Sequence, residues 1–182
     1  MQFRRFISEF RTGAFCLVLF NCATAINTDA QPALGCDGRA IIGSFDTSGG
    51  DGGPAANAQL FNPGQLAVDA HANVYIVDLS NEKVRKVSPA GIISTVAGNG
   101  IAASTGDGGP AAQASLHSPR GVAVDGSGNI YISESNGNRI RKISPAGTIS
   151  TFAGDGRAGF SGDGSPAINA MLAGPRDLVI DP

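Results

Sequence analysis

DGGPAAQASLHSPRGVAVDGSGNIYISESNGNRIRKISPAGTISTFAGDGRAGFSG, residues Asp107 to Gly162, is a second writing of the text that runs from Asp51 to Gly106. A third writing opens at Asp163 and reaches Pro182. The three copies start 56 residues apart, and the two full ones are identical at 29 of 56 positions without a gap. A fixed period of this length marks a solenoid, a propeller or an array.

Each unit divides into four short runs rich in Val, Ile, Tyr and Thr, residues that suit a pleated, half-buried surface. The predicted strands are Gln65 to Asp69, Asn73 to Asp78, Lys83 to Val87 and Ile92 to Ala97. Their counterparts are Gly121 to Asp125, Asn129 to Glu134, Arg139 to Ile143 and Thr148 to Ala153. Between them lie Asp125-Gly-Ser-Gly-Asn129, Asn136-Gly137 and Ser144-Pro-Ala-Gly147. Gly and Asn tolerate positive φ and Pro fixes φ, so these are turns. Links this short admit only antiparallel neighbours, because a parallel crossover needs a dozen residues or more. The fold class is therefore all-β, built of four-stranded antiparallel blades. A lone blade buries too little apolar surface to offset its chain entropy. Radial stacking of such blades, a β-propeller, covers both faces of each.

Asp51, Asp107 and Asp163 each open a Gly- and Pro-containing joint between units, and are expected to cap a single helical turn. A calcium site would need six to eight oxygens, and each joint offers one carboxylate. Asp69, Asp125 and Asp181 recur at the end of the first strand. They are either turn residues bonding their own backbone or a ring of carboxylates near a channel mouth; the turn role is the expected one. The pairs Arg85-Lys86 and Arg141-Lys142 form a basic stripe, read as solvated outer strands salt-bridged to neighbouring acids and as a weak candidate binding surface. His71 and His117 occupy different places in the repeat and cannot make a ring of equivalent ligands. No GKS/T phosphate loop occurs. No catalytic, metal or cofactor-binding residue emerges from the sequence.

GVAVDGSGNIYISESNGNRIRKISPAG, from Gly121 to Gly147, closely resembles the NHL repeat. With the GDGGPA joint and the ISTVAGNG ending, the longer unit is similar to the teneurin-type NHL arrays common in bacterial exported proteins. The resemblance covers Arg39 to Pro182. It follows the family pattern Asp-x-x-Asn-x-Arg at Asp78, Asn81 and Lys83, and departs from it at Glu134, Gly137 and Arg139. A bond made by Asn81 is expected to be replaced there by one from Asn136 or Asn138. The resemblance implies a ring of usually six blades, about 336 residues at this period. Two full repeats, 51–106 and 107–162, and the incomplete 163–182 give two and a half to three blades. A truncated product is the first expectation, and self-association to complete the ring the second.

The N-terminus carries Arg4, Arg5 and Arg11, then the apolar run Gly13 to Phe20, then Ala23-Thr24-Ala25. That order predicts a signal peptide over 1–25, cut after Ala25 or Ala30, and an exported protein. The apolar run falls short of the ~20 residues that span a bilayer. Residues 26–38 read as a linker. Such a cut would leave Cys36 as the one cysteine, so no internal disulfide is expected. With 13 basic and 15 acidic groups, the chain lacks the electrostatic footprint of a nucleic-acid binder. The function expected is a non-enzymatic scaffold recognising a protein or glycan through its blade loops. The alternatives are a fragment of a metal-dependent propeller hydrolase or lyase, and a nucleic-acid binder using the basic stripe.

Overall fold

The computed structural model describes residues 49–181. The segments read as a signal peptide, 1–25, and as a linker, 26–38, lie outside those residues. Eight strands follow one another: β1 (Pro63–Val68), β2 (Val74–Asp78), β3 (Lys83–Val87), β4 (Ile93–Ala97), β5 (Pro119–Val124), β6 (Ile130–Glu134), β7 (Arg139–Ile143) and β8 (Ile149–Ala153). They form two four-stranded sheets, each in sequence order, β1-β2-β3-β4 and β5-β6-β7-β8. Every pairing is antiparallel, and the registers repeat: Tyr75 faces Lys86 across β2–β3 as Tyr131 faces Lys142 across β6–β7. The chain is all-β, with two successive blades of a partial propeller. The inner strands β1 and β5 begin two residues before their predicted starts, at Pro63 and Pro119, with a bulge after each. Proline is tolerated at a strand's first residue because its missing N–H falls outside the ladder.

Side-chain alternation gives each sheet two faces. On the first blade, Ile76, Val87 and Ile93 receive Ala55, Ala58 and Leu60 from the preceding joint. The opposite face presents Tyr75, Val77, Val84 and Ala97. It closes a second core with Ala111, Ala114 and Leu116 of the next joint and with Val122, Ile130, Ile132, Ile143 and Ile149. The joint is thus the filling between blades. Its one helical turn is a three-residue 3-10 turn, at Ala55–Asn57, Ala111–Gln113 and Ala167–Asn169.

The expected capping role of Asp51, Asp107 and Asp163 is not found. Pro54, Pro110 and Pro166 stand at the N-cap positions, and no side-chain cap bond is made. The aspartates lie three residues too early to reach those amides, and two of them have another partner described below. Gly98, directly after β4, shows why the chain leaves the blade on a glycine. Its φ is +92°, in the region open to Gly, and an added Cβ would run into the carbonyl of Glu82.

Candidate functional site

The largest buried side chains in both blades are arginines. Arg85 and Arg141 are each 1% exposed. Because successive strand residues point to opposite faces, Arg85 turns into the joint-facing side while Lys86 turns to the other. This corrects the expectation of a solvated basic stripe: half of the stripe is core. Arg141 donates from Nη1 to Glu134 Oε1 (3.1 Å) and from Nη2 to Asp107 Oδ1 (2.5 Å) and the Thr105 carbonyl (3.2 Å). Arg85 does the same with Asp78 (3.4 Å), Asp51 (2.6 Å) and the carbonyls of Gln59 and Gly49. The planar guanidinium fork suits several acceptors held at once. Asp107 also accepts from Thr151 N (3.0 Å) and Thr151 Oγ1 (2.7 Å). Burial raises the Asp107 pKa, but the bonds from Thr151 and Arg141 outweigh it and hold it below 3.8. The joint aspartates therefore tie each joint to its own blade. Asp163, the third, is exposed.

The two blades differ beside that arginine. In the first, Asp78 accepts two bonds from Asn81 Nδ2, both 2.9 Å, and one from Phe61 N (2.7 Å). In the second, Glu134 is fully buried and Oε2 has no hydrogen-bond partner; nor has Ser104 Oγ nearby. A Cβ on Gly137 would stand 2.8 Å from Glu134 Oε2 and closer still to Ser104 Oγ. The longer acid thus occupies the room that an asparagine would need. Neither Asn136 nor Asn138 replaces Asn81 at the carboxylate. Asn136 Nδ2 donates to Ser118 Oγ, and Asn138 Nδ2 donates to the Gly156 carbonyl. Copying the first blade's pair into the second, Glu134→Asp with Gly137→Asn, should stabilise the chain by about 1–2 kcal/mol. Gly137→Asn alone should destabilise it. Urea unfolding of the single and double variants reads the coupling.

Asp69 and Asp125 are turn residues with their carboxylates fully engaged. Asp69 Oδ1 accepts from His71 N and Asn73 N, and Oδ2 from Asn73 Nδ2 (2.7 Å) and Tyr75 Oη (3.2 Å). Asp125 repeats the pattern with Ser127, Asn129 and Tyr131. Burial and the Asp69 charge push the Tyr75 hydroxyl up to about 12. Lys86 and Lys142 sit over the Tyr75 and Tyr131 rings at 5.9 and 5.6 Å, a cation–π arrangement. Asp181, the third recurrence, is exposed. At the inner edge Gln65, not singled out from sequence, joins three segments. Its Oε1 accepts from Val122 N (2.9 Å) and Leu178 N (3.2 Å), and Nε2 donates to the Leu178 carbonyl (3.0 Å). Nothing local marks it, since the matching residues are Gly121 and Asp177.

Outside this framework, the loops that follow β4 and β8 carry side chains the cores do not use. Ile101 is 60% exposed and Phe160 91% exposed. Arg157, at the place of Ile101, is held by Asp155 through Nε (2.8 Å) and Nη2 (2.6 Å). Among the described residues no group of three or more His, Cys, Asp or Glu side chains is placed to hold a metal ion. No helix among them is long and apolar enough to cross a membrane.

The teneurin NHL domain family matches this chain over residues 27–105 and 100–171, both full blades and the joints between them. The chain belongs to the teneurin NHL domain family. As an NHL-domain chain it is 32% identical to chicken teneurin-1 (Gallus gallus) over 136 residues, 64% of its own length and 5% of the teneurin. It is 40% identical to mouse teneurin-3 (Mus musculus) over 82 residues, 42% of the chain and 3% of that protein. The NHL chain therefore spans a small fraction of the curated relatives it matches. Among solved structures it is similar to a Bacteroides thetaiotaomicron structural genomics protein of unknown function, with TM-score 0.51 and 28% identity. That match covers 58% of this chain and 26% of the other. An auxiliary nutrient binding protein from the same organism shares the fold, with TM-score 0.51 and 19% identity, over 64% of this chain and 32% of that one.

Proposed function

We propose that this NHL chain is an exported, non-enzymatic binding module that recognises a protein or glycan partner through the loops between its blades. The observation that carries this reading is the division of labour in the repeat. Strands, turns and joints spend their polar groups on one another, while the loops after β4 and β8 present Ile101, Arg157 and Phe160 to solvent. Exposed aromatic and arginine side chains are those that most often dominate interface energy. The basic stripe supplies no continuous face for nucleic acid, because Arg85 and Arg141 are interior and Lys86 and Lys142 lie over tyrosine rings. Association with further copies belongs to the same reading. Tyr131 and Ile140 are half-buried where the matching Tyr75 and Val84 are buried under the second blade.

The test is binding of the whole chain to a glycan array and to a panel of extracellular protein domains, beside an Ile101→Ser/Phe160→Ser variant. Binding by the parent, lost in the variant at unchanged thermal midpoint, is the expected result. Binding to neither panel, or binding indifferent to both loops, overturns the reading. Light scattering on the same samples reports association.

A further inference from the structure

Most arginines of the described residues have acceptors at their terminal nitrogens. Arg85 and Arg141 are core, Arg139 Nη2 donates to the Asp155 carbonyl, and Arg157 Nη2 donates to the Asp155 carboxylate. Arg120 and Arg176 are the two left over. Both are exposed. Arg120 donates from Nε to Ser135 Oγ (3.3 Å), which leaves both of its Nη groups without an acceptor. The Arg176 guanidinium makes no bond to the described residues. We propose that Arg120 and Arg176 form a second binding site, a clamp for the carboxylate of a uronic acid in an acidic glycan.

The repeat places the two side by side. They stand 56 residues apart, at one position of successive units, where the first unit has Gly64. Their backbones are neighbours across the inner edge. A Cβ on Gly121 would run into the Arg176 carbonyl, just as one on Gly64 would meet the Arg120 carbonyl at 3.2 Å. Ser133 Oγ donates to that Arg176 carbonyl, and Leu178 is bonded to Gln65 through both its N–H and its carbonyl. The backbone beneath the second fork is therefore anchored by both blades, and little of it has to be ordered when a ligand arrives. A guanidinium fork matches a carboxylate with two parallel hydrogen bonds.

The acids nearby are occupied or lie apart. Glu82 Oε2 accepts from Ser118 N (2.7 Å), and Glu134 is buried against Arg141. Asp177 stands in the register of Gln65, one residue on from the arginine position and so on the opposite side of an extended chain. Among the described residues no carboxylate is within ion-pair distance of either arginine.

Neutral polar groups complete the cluster and select the kind of ligand. Ser118 Oγ accepts from Asn136 Nδ2 (2.8 Å) and keeps its own proton for a further acceptor. Asn136 is exposed, and its Oδ1 is an open acceptor. A sugar acid brings one carboxylate among several hydroxyls, and this set answers both. A peptide would bring apolar side chains, and the one apolar residue within the cluster, Pro119, is buried.

Isothermal titration calorimetry of the whole chain with a galacturonic acid trisaccharide tests the clamp, beside maltotriose as a neutral sugar and triglutamate as an acidic peptide. The galacturonate should bind, and more weakly as salt is raised. Arg120→Gln and Arg176→Gln should each weaken it about tenfold while the urea midpoint stays at the parental value. Maltotriose should not bind, and triglutamate should bind less tightly than the galacturonate. The Ile101→Ser/Phe160→Ser variant should bind the galacturonate as the parent does, so this site and the loops after β4 and β8 stand or fall separately. Absence of galacturonate binding overturns the proposal, as does binding that a folded Arg120→Gln/Arg176→Gln variant retains in full. Maltotriose or triglutamate bound as tightly as the galacturonate overturns the assignment to an acidic glycan.

Discussion

Arg141→Ala should destabilise the chain by about 3–5 kcal/mol, the usual consequence of removing one partner from a buried ion pair. The side chain is 1% exposed and donates to Glu134, Asp107 and the Thr105 carbonyl. Its loss leaves Glu134 fully buried and without its counter-charge. Asp107, half exposed, recovers some hydration and keeps its Thr151 bonds, so most of the effect comes from Glu134. Arg141→Lys should be intermediate, because an ammonium cannot reach three acceptors in the fork geometry. Urea unfolding measures both, and an Arg141→Ala midpoint equal to the parent's would contradict the arrangement. Arg141 is also unsuitable for testing a basic binding face, since loss of binding would follow from loss of folding. Lys142→Ala is the proper probe of that face.

Leu116→Ala should cost about 2–5 kcal/mol. Leu116 is fully buried in the core shared by the first blade, the joint and the second blade. Truncation opens a cavity bounded by both sheets, and neither can collapse into it without shifting the other. Its counterpart Leu60 belongs to a smaller cluster on the first blade alone. Leu60→Ala should therefore weaken mainly that blade's attachment to its own joint. Comparing the two separates coupling between blades from packing within one.

Much of this architecture was legible in the text. The turns at Asp125 to Asn129, Asn136-Gly137 and Ser144 to Gly147 fix strand ends, because Gly, Asn and Pro restrict where a ladder can continue. The predicted strands accordingly coincide with β1 to β8 apart from a residue or two at their ends. The roles of Asp69 and Asp125 followed from the same chemistry, since an aspartate in a turn bonds amides within a few residues. What stayed hidden depends on contacts distant in sequence. Arg85 and Arg141 read as surface cations, and their acids at Asp51 and Asp107 lie 34 residues earlier on another element. The alternation of a strand was itself the available signal. In Arg85-Lys86 and Arg141-Lys142, one residue of each pair had to face inward. The same distance misassigned the joint aspartates as caps. The paired change from Asp78 and Asn81 to Glu134 and Gly137 was visible on aligning the copies. Its meaning required the geometry, because only there does the extra methylene fill the space of the missing asparagine. Gln65 left no pattern, since its bonds to Val122 and Leu178 span the repeat and recur in neither copy.

The central claim is that the Asp-Gly-Gly-Pro joint makes two copies of one text into a single cooperative structure. The chain contains two tyrosines and no tryptophan, and Tyr75 and Tyr131 lie one in each blade. Tyr75→Phe and Tyr131→Phe backgrounds each leave one fluorescent reporter. Urea unfolding of Leu116→Ala should be followed in both. Equal shifts of the midpoint reported from the two blades are the predicted result. A shift reported by one tyrosine, with the other blade unfolding at its parental midpoint, would contradict it.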